Sequence, residues 1–255
     1  AGKNEADLSS KPVGKLLISL AVPTITAQIV NMLYNIVDRI YIGQGVGKTA
    51  LTGVGVSFPI LILISAFSSL IGMGGAPRAS IRMGQKDNDG AERILGNCFV
   101  TLLSISLILT VYVLGTVFVQ LSLGLNAFIT AQGFSRYSMV TVLIGAVSNI
   151  ILDPIFIFGF GMGVKGAALA SVISQALSAF WVLRLRLRRE HMRFSPQVML
   201  PVLALGIAPF IMQSTESLVN IVFNRSLQQY GGDIAVGSMT ILTSVMQLVM
   251  MPVSG

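Results

Sequence analysis

The sequence predicts an all-α polytopic membrane protein. Of its 255 residues, 53% are hydrophobic and 11% are charged, with a mean hydropathy of +0.80; soluble domains are about 25% charged. Apolar runs of about 20 residues recur along the chain, each long enough to cross a hydrocarbon core of about 30 Å. The runs lack the strict alternation of membrane β-strands. These observations favour a helical bundle and exclude disorder, a disulfide scaffold and a coiled coil.

Eight apolar segments of helix length follow a polar N-terminal tail at 1–13, which contains no signal-peptide core. We predict helices at 14–42, 48–83, 89–112, 113–134, 136–160, 164–189, 197–229 and 233–255. The first six would form one lobe, 14–189. A basic cytoplasmic loop at 190–198 would connect this lobe to the start of a second lobe at 199–255.

One uncharged stretch is too long for a single crossing. The 34 residues from Cys98 to Ala131 carry no charge and contain no credible turn. As one helix they would extend about 50 Å. The charge pattern also requires a reversal here, because Arg93 and Arg136 both belong to the basic side. We therefore predict that a connection near 110–114 is missing from the sequence.

The basic residues collect on one side of the predicted bundle. Thirteen of the 17 Lys and Arg residues precede the first helix or lie near the second, fourth and sixth connections. By the positive-inside rule, this side and the N-terminus are cytoplasmic. The net charge of +7 is then a topology signal, and we predict no nucleic-acid partner. With one cysteine, Cys98, and one histidine, His191, we predict neither a disulfide framework nor an enzyme.

An internal repeat relates the two predicted lobes. Residues 20–28 (LAVPTITAQ) resemble residues 205–213 (LGIAPFIMQ), and Pro23 matches Pro209 at an offset of 186. Six predicted helices precede the second copy, so both copies cross the membrane in the same direction. Parallel repeats of this kind are typical of secondary transporters, with a substrate path between the lobes.

The first predicted helix carries four polar residues on one face. They follow spacings of three, four and three residues, and are Gln28, Asn31, Asn35 and Asp38. A carboxylate facing lipid is costly, so Asp38 should face the bundle interior. The alternative is an Asp38 neutralised by a basic neighbour at the outer end, for which Arg39 is a poor candidate because adjacent helix residues point about 100° apart. We interpret this face as one wall of a cavity or of an interface.

The fifth and sixth predicted helices carry a second polar group. Asn149 and Asp153 are one turn apart, and Pro154 follows, which removes a backbone donor and frees a carbonyl group. Ser171 and Gln175 are one turn apart in the sixth helix. The carboxylates, amide and hydroxyl supply oxygen ligands suited to Na⁺, and a buried carboxylate can hold a proton. For Ser171 and Gln175 alone, hydrogen bonding between helices is a slightly better interpretation.

The seventh predicted helix repeats the polar spacing of the first. Gln213, Glu216 and Asn220 share one face, and Glu216 is a third intramembrane carboxylate. We assign these three residues to the substrate cavity. A structural role for Glu216 is the favoured alternative.

Several of these elements resemble one transporter family. They are Ala21-Val-Pro23 with Asn35-Ile-Val-Asp38, Asn149-Ile-Ile-Leu-Asp153-Pro154, the segment from Val164 to Ser171, and Met250-Met-Pro252-Val-Ser-Gly255. The sequence is similar to the multidrug and toxic compound extrusion (MATE) family, in particular its bacterial DinF/MepA-like branch. The resemblance implies a two-lobe bundle of twelve spans. Against that pattern, this chain would hold the six-helix first lobe and the first two helices of the second.

The resemblance also implies a function. Family members exchange cationic, lipophilic drugs against H⁺ or Na⁺, without a cofactor. Asp38, Asn149, Asp153 and Ser171 match the ion or proton site of the first lobe, and Pro23 matches a proline at which the first span bends. We interpret Pro23, Pro154 and Pro209 as hinges. The implied location is the bacterial cytoplasmic (inner) membrane, with lipids around a monomer.

The alternative function is a lipid-linked precursor flippase of a related two-lobe family. A flippase cavity would be rich in Arg and Lys to bind a pyrophosphate. None of the 17 basic residues falls in the middle of a predicted span, so we favour the drug antiporter.

Overall fold

The computed structural model describes residues 12–110, 115–183 and 194–254, and every regular element in these ranges is helical. The helices are α1 (Val13–Gly45), α2 (Lys48–Gly84), α3 (Asn88–Thr110), α4 (Thr116–Ala131), α5 (Ser135–Pro154), α6 (Val164–Leu183) and α7 (Pro196–Ser254), with a π-helical turn at Ile155–Gly159 after α5. This confirms the all-α polytopic fold class. Residues 1–11 of the predicted tail, residues 111–114 of the predicted missing connection and residues 190–193 of the predicted basic loop lie outside the described residues.

The lengths of the helices fit a membrane with one exception. Six stretches of the described chain are long and apolar enough to cross. Helix α4 has only 16 residues, about 24 Å, because it begins after Gly115 (φ 90°) and is followed by a turn at Gly133 (φ 83°). The predicted segment 113–134 was therefore too long. Within α7 the backbone breaks at Gly232 (φ 62°, ψ −164°), between the last two predicted helices.

The buried core and the apolar surface are both those of a membrane bundle. The main core packs side chains from α2, α3, α4, α6 and α7, among them Cys98, Leu102, Phe128 and Val202. On the outside, large apolar side chains such as Leu107 and Phe180 are exposed. Lipid would cover such a surface, since the hydrocarbon core solvates apolar side chains as well as a protein interior does.

Helices α2 and α7 pack against each other in opposite directions along most of their length, and we call this contact the α2–α7 seam. Its polar contacts are Gln213 Nε2 to Ser69 Oγ (2.7 Å), Ser217 Oγ to the Pro59 carbonyl oxygen (2.8 Å) and Asn224 Nδ2 to the Gly55 carbonyl oxygen (3.1 Å). The rings of Phe67 and Phe210 lie 5.0 Å apart between them.

Proline explains one of the seam's hydrogen bonds. Pro59 lies inside α2 and has no N–H, so the carbonyl group of Gly55, four residues earlier, loses its helical partner. Asn224 of α7 donates to that oxygen. A side chain of α7 thus completes the backbone hydrogen bonding of α2, as buried backbone groups in a bilayer require.

Asn224→Leu is expected to destabilise the protein by about 1 kcal/mol, because the Gly55 carbonyl oxygen is left without a partner. The free energy of unfolding in mixed micelles measures this. Asn220→Leu is the matched control one turn earlier, since Asn220 donates only to the Glu216 carbonyl oxygen of its own helix in the hydrogen bonds that the structure records. Equal destabilisation by both substitutions would contradict the interpretation.

Candidate functional site

Three helices bring the predicted coupling residues together. Asn149 lies between two partners, with Nδ2 3.3 Å from Oδ1 of Asp153 in its own helix and 3.4 Å from Oγ of Ser171 in α6. The carboxyl groups of Asp38, from α1, and Asp153 approach closely enough to share a hydrogen bond. We call these four residues the carboxylate site.

The carboxylate site is largely buried and contains few hydrogen-bond donors. Asn149 and Asp153 are 2% and 0% exposed. Asp38 Oδ1, Asn149 Oδ1 and Asp153 Oδ2 are all buried without a hydrogen-bond donor. Neither carboxylate takes part in an ion pair within the described residues. Two adjacent buried carboxylates cannot both stay charged without compensation. The arrangement therefore suits a shared proton or a small cation held by oxygen ligands.

A cavity of about 280 Å³ opens beside the site. Its polar lining includes Asp38, Ser171 and Gln175, and apolar residues of α2, α4 and α6 form much of the rest, among them Leu61, Ile64, Val119, Ala167 and Val172. An apolar pocket with a few converging polar groups and a carboxylate can accept a lipophilic cation. Among the described residues that line this cavity, none is a lysine or an arginine.

Local backbone features bring α1 against α5. Pro154 ends α5, and the π-helical turn follows, in which the Phe160 N–H bonds to the Ile155 carbonyl oxygen. Gly45, at the end of α1, packs so tightly on this turn that an added Cβ would lie 2.5 Å from Ile157 Cγ2. The glycine permits the close approach of helices that places Asp38 beside Asp153. π-Helical turns are often found at functional sites.

The other polar residues of α1 lie apart from this cavity. Gln28, Asn31 and Asn35 are half-buried, and Asn35 Nδ2 donates to the Asn31 carbonyl oxygen one turn earlier. None of the three lines the 280 Å³ cavity. Pro23 is buried inside α1, which is assigned as one continuous helix. The cavity and hinge roles of these residues stay predictions.

The polar residues of α7 lie on the seam and its margin. Gln213 binds Ser69 of α2. The Glu216 side chain is exposed, and Asn220 donates to its backbone. Pro209 lies in a stretch of α7 without a break. The structure does not bring these residues to the carboxylate site, and their proposed cavity and hinge roles stay untested.

One neighbour of the site did not emerge from the sequence. Tyr34, one turn before Asp38, lies near both carboxylates. Arg39, considered above as a poor partner for Asp38, forms no ion pair with it among the described residues. Its Nη1 donates to the Thr240 carbonyl oxygen at 3.0 Å, and its guanidinium lies 5.8 Å from the Phe58 ring centroid.

Fold and site together define a polytopic helical membrane protein with a buried carboxylate pair in its first lobe. A family model described as MatE matches residues 23–115. This match confirms the resemblance to the multidrug and toxic compound extrusion family that was stated from the sequence.

Relatives and solved structures agree with this resemblance. The chain is 26% identical to the multidrug export protein MepA of Staphylococcus haemolyticus over 254 positions, covering 85% of this chain and 56% of the relative. MepA of Staphylococcus aureus is 25% identical, with 86% and 57% covered. The chain thus spans about half the length of these curated relatives.

Among solved structures, a ligand complex of the MATE multidrug transporter DinF-BH matches with a TM-score of 0.91 and 31% identity, over 98% of this chain and 65% of that one. A MOP superfamily transporter from Pyrococcus furiosus matches with a TM-score of 0.82 at 22% identity, over 93% and 61%. The second match supports the fold alone.

Proposed function

We propose that the protein is a multidrug efflux antiporter that exports cationic lipophilic compounds in exchange for H⁺ or Na⁺. The observation that carries this proposal is the facing pair of Asp38 and Asp153 beside an apolar cavity. Each of these side chains has a buried carboxylate oxygen that receives no hydrogen bond. The names of the MepA relatives and of the multidrug transporter DinF-BH support a drug as substrate.

The proposed mechanism is competition for the same carboxylates. When the cavity faces the cytoplasm, the charged pair attracts a cationic compound, since unlike charges interact strongly in a medium of low dielectric constant. When the cavity faces outward, H⁺ or Na⁺ takes the carboxylates and removes the counter-charge of the compound, which leaves. Coupling needs no more than this competition between two ligands in two states.

The four residues of the carboxylate site fit either coupling ion. Na⁺ would suit the oxygen atoms of Asp38, Asn149 and Asp153 that receive no hydrogen bond. Ser171 Oγ, near Asn149, adds a fourth oxygen. Asp38 and Asp153 could instead share one proton, as adjacent carboxylates do. We assign no cofactor. We place the protein as a monomer in the bacterial cytoplasmic membrane, with its N-terminus in the cytoplasm and lipids around it.

Efflux of ethidium from proteoliposomes containing the complete gene product is expected under only one of two separately imposed gradients, of pH or of Na⁺. The gradient that drives efflux identifies the coupling ion, and liposomes without protein are the control. Absence of ethidium transport under both gradients would overturn the antiporter proposal.

The same failure would favour a lipid-linked precursor flippase, for which no observation speaks at present. The described lining of the cavity beside the carboxylate site has an acidic side chain and no basic one. A pyrophosphate would be repelled there, whereas a cation would be attracted.

A further inference from the structure

A second cavity, of about 300 Å³, lies at the opposite end of the bundle, between the end of α2 and the starts of α3 and α7. We call it the basic cavity. Its charged and polar lining is formed by Arg78, Arg82, Arg93, Asp87, Asp89 and, from α7, Gln197. The efflux mechanism uses none of these residues. With three arginines and two aspartates, the described lining carries a net charge of +1.

The two aspartates leave much of the arginine charge available. Arg82 Nη1 lies 3.0 Å from Asp87 Oδ2, and Arg93 Nε lies 3.2 Å from Asp89 Oδ2. Both pairs are exposed, with 38–64% of each side chain accessible, and such pairs contribute little. Asp87 also accepts the Gly90 N–H at 2.9 Å, so part of it is committed to the start of α3.

Arg78 is the residue that indicates a ligand. Its Nε is buried and has no hydrogen-bond partner, and it forms no ion pair with any described residue. A buried charged donor without an acceptor is costly. Arg82 follows one turn later on the same face of α2. The two side chains can therefore act together on one anion that enters the cavity.

The geometry points to the phosphate group of an anionic phospholipid as the ligand of the basic cavity. Guanidinium groups bind phosphate oxygens in pairs, through planar N–H donors. Arg78 lies six residues before the end of α2, about 9 Å along the helix, and this end of α2 is expected to meet the headgroup region of the basic, cytoplasmic side. Basic pockets between membrane helices on the cytoplasmic side are suited to such headgroups.

A lipid in the basic cavity would contact both the first lobe and the start of α7. Gln197 lies in the first turn of α7, just before the predicted second lobe, whereas the arginines belong to the first lobe. The bound headgroup would thus favour whichever arrangement of the lobes keeps the start of α7 near α3. Anionic lipid content of the membrane would then act on the conformational equilibrium without touching the carboxylate site.

Binding of phosphatidylglycerol to the complete protein in neutral detergent, measured by native mass spectrometry, tests the assignment. Phosphatidylcholine is the lipid control, and inorganic phosphate at matched ionic strength tests for a free anion. Arg78→Gln is expected to weaken phosphatidylglycerol binding roughly tenfold. Arg136→Gln, an exposed arginine outside the cavity, is expected to leave it unchanged.

Exposed Gln197 offers a test that does not depend on the half-buried Arg78. Gln197→Glu should weaken phosphatidylglycerol binding, and Gln197→Lys should strengthen it, because only the charge near the phosphate changes. Equal binding of phosphatidylglycerol and phosphatidylcholine, or equal effects of Arg78→Gln and Arg136→Gln, would overturn the proposal. Binding of inorganic phosphate without binding of phosphatidylglycerol would overturn the lipid assignment in favour of free phosphate.

Discussion

Asp38→Asn and Asp153→Asn are each expected to reduce gradient-driven efflux of a cationic compound by at least tenfold. Each substitution keeps the shape of the side chain and removes a charge from a pair that faces across α1 and α5. Interactions with buried charged groups are worth about 1.5–3 kcal/mol, which corresponds to a factor of roughly ten to one hundred. Ethidium efflux from proteoliposomes under the driving gradient measures the effect.

Asp233→Asn is the matched control, because Asp233 is exposed and lies far along α7, where its Oδ1 accepts from Gln228 Nε2 at 2.6 Å. It should transport as the unaltered protein does. The double variant Asp38→Asn, Asp153→Asn should be little worse than either single one, since the two residues act as a unit. Unchanged efflux in both single variants would exclude the carboxylate site from coupling.

Under the proposed mechanism, Asp38 and Asp153 would also make drug binding depend on pH. Protonation removes the negative charge that attracts a cation, so ethidium binding to the unaltered protein should weaken as the pH falls, if H⁺ is the coupling ion. The double variant should bind weakly at every pH. A pH dependence that survives in the double variant would place the titrating group elsewhere.

Gly74→Ala is expected to destabilise the protein by about 1–3 kcal/mol or more. A Cβ at Gly74 would overlap the Val202 carbonyl oxygen and lie 2.9 Å from the Gly206 nitrogen and 3.1 Å from its Cα. These atoms belong to backbone, which cannot move aside as a flexible side chain can. The α2–α7 seam would have to separate at this point. The free energy of unfolding in mixed micelles measures the loss.

Gly53→Ala is the control in the same helix, because nothing lies within 4 Å of a Cβ added there. Alanine favours a helix over glycine by about 1 kcal/mol, so Gly53→Ala should be neutral or stabilising. The two substitutions thus have opposite expected signs. A stabilising effect of Gly74→Ala would show that the seam does not need the close backbone contact.

Most helix positions could be predicted from the sequence, because membrane-spanning helices are recognised by their length and hydropathy. The ends of α1, α2 and α3 lie within about three residues of their predicted positions. The grouping of Asp38 with Asn149, Asp153 and Ser171 was also anticipated in part. Polar side chains inside a bilayer face the bundle interior and contact one another, which leaves few possible arrangements of the helices.

The helices that pack against α2 could not be predicted from the sequence. Pro59 and Gly74 look like ordinary interruptions of an apolar run, and periodicity does not say which helix lies opposite. The length of α4 was overestimated for a similar reason, since Gly115 and Gly133 act through backbone angles that composition does not show. The partner of Arg39, the Thr240 carbonyl oxygen, lies 201 positions away along the chain.

The backbone contact between Gly74 and Gly206 also provides a pivot within the α2–α7 seam. The atoms nearest to a Cβ added at Gly74 are all backbone atoms of α7, so a small tilt would disturb few side-chain contacts at this point. Gly74 is ten residues from the end of α2, about 15 Å, and 19 residues from Gly55, about 29 Å. A tilt about Gly74 would therefore displace the Gly55 end, on the side of the carboxylate site, roughly twice as far as the opposite end. A rotation of about 5° would move the Gly55 end by about 2.5 Å and the end near the basic cavity by about 1.3 Å.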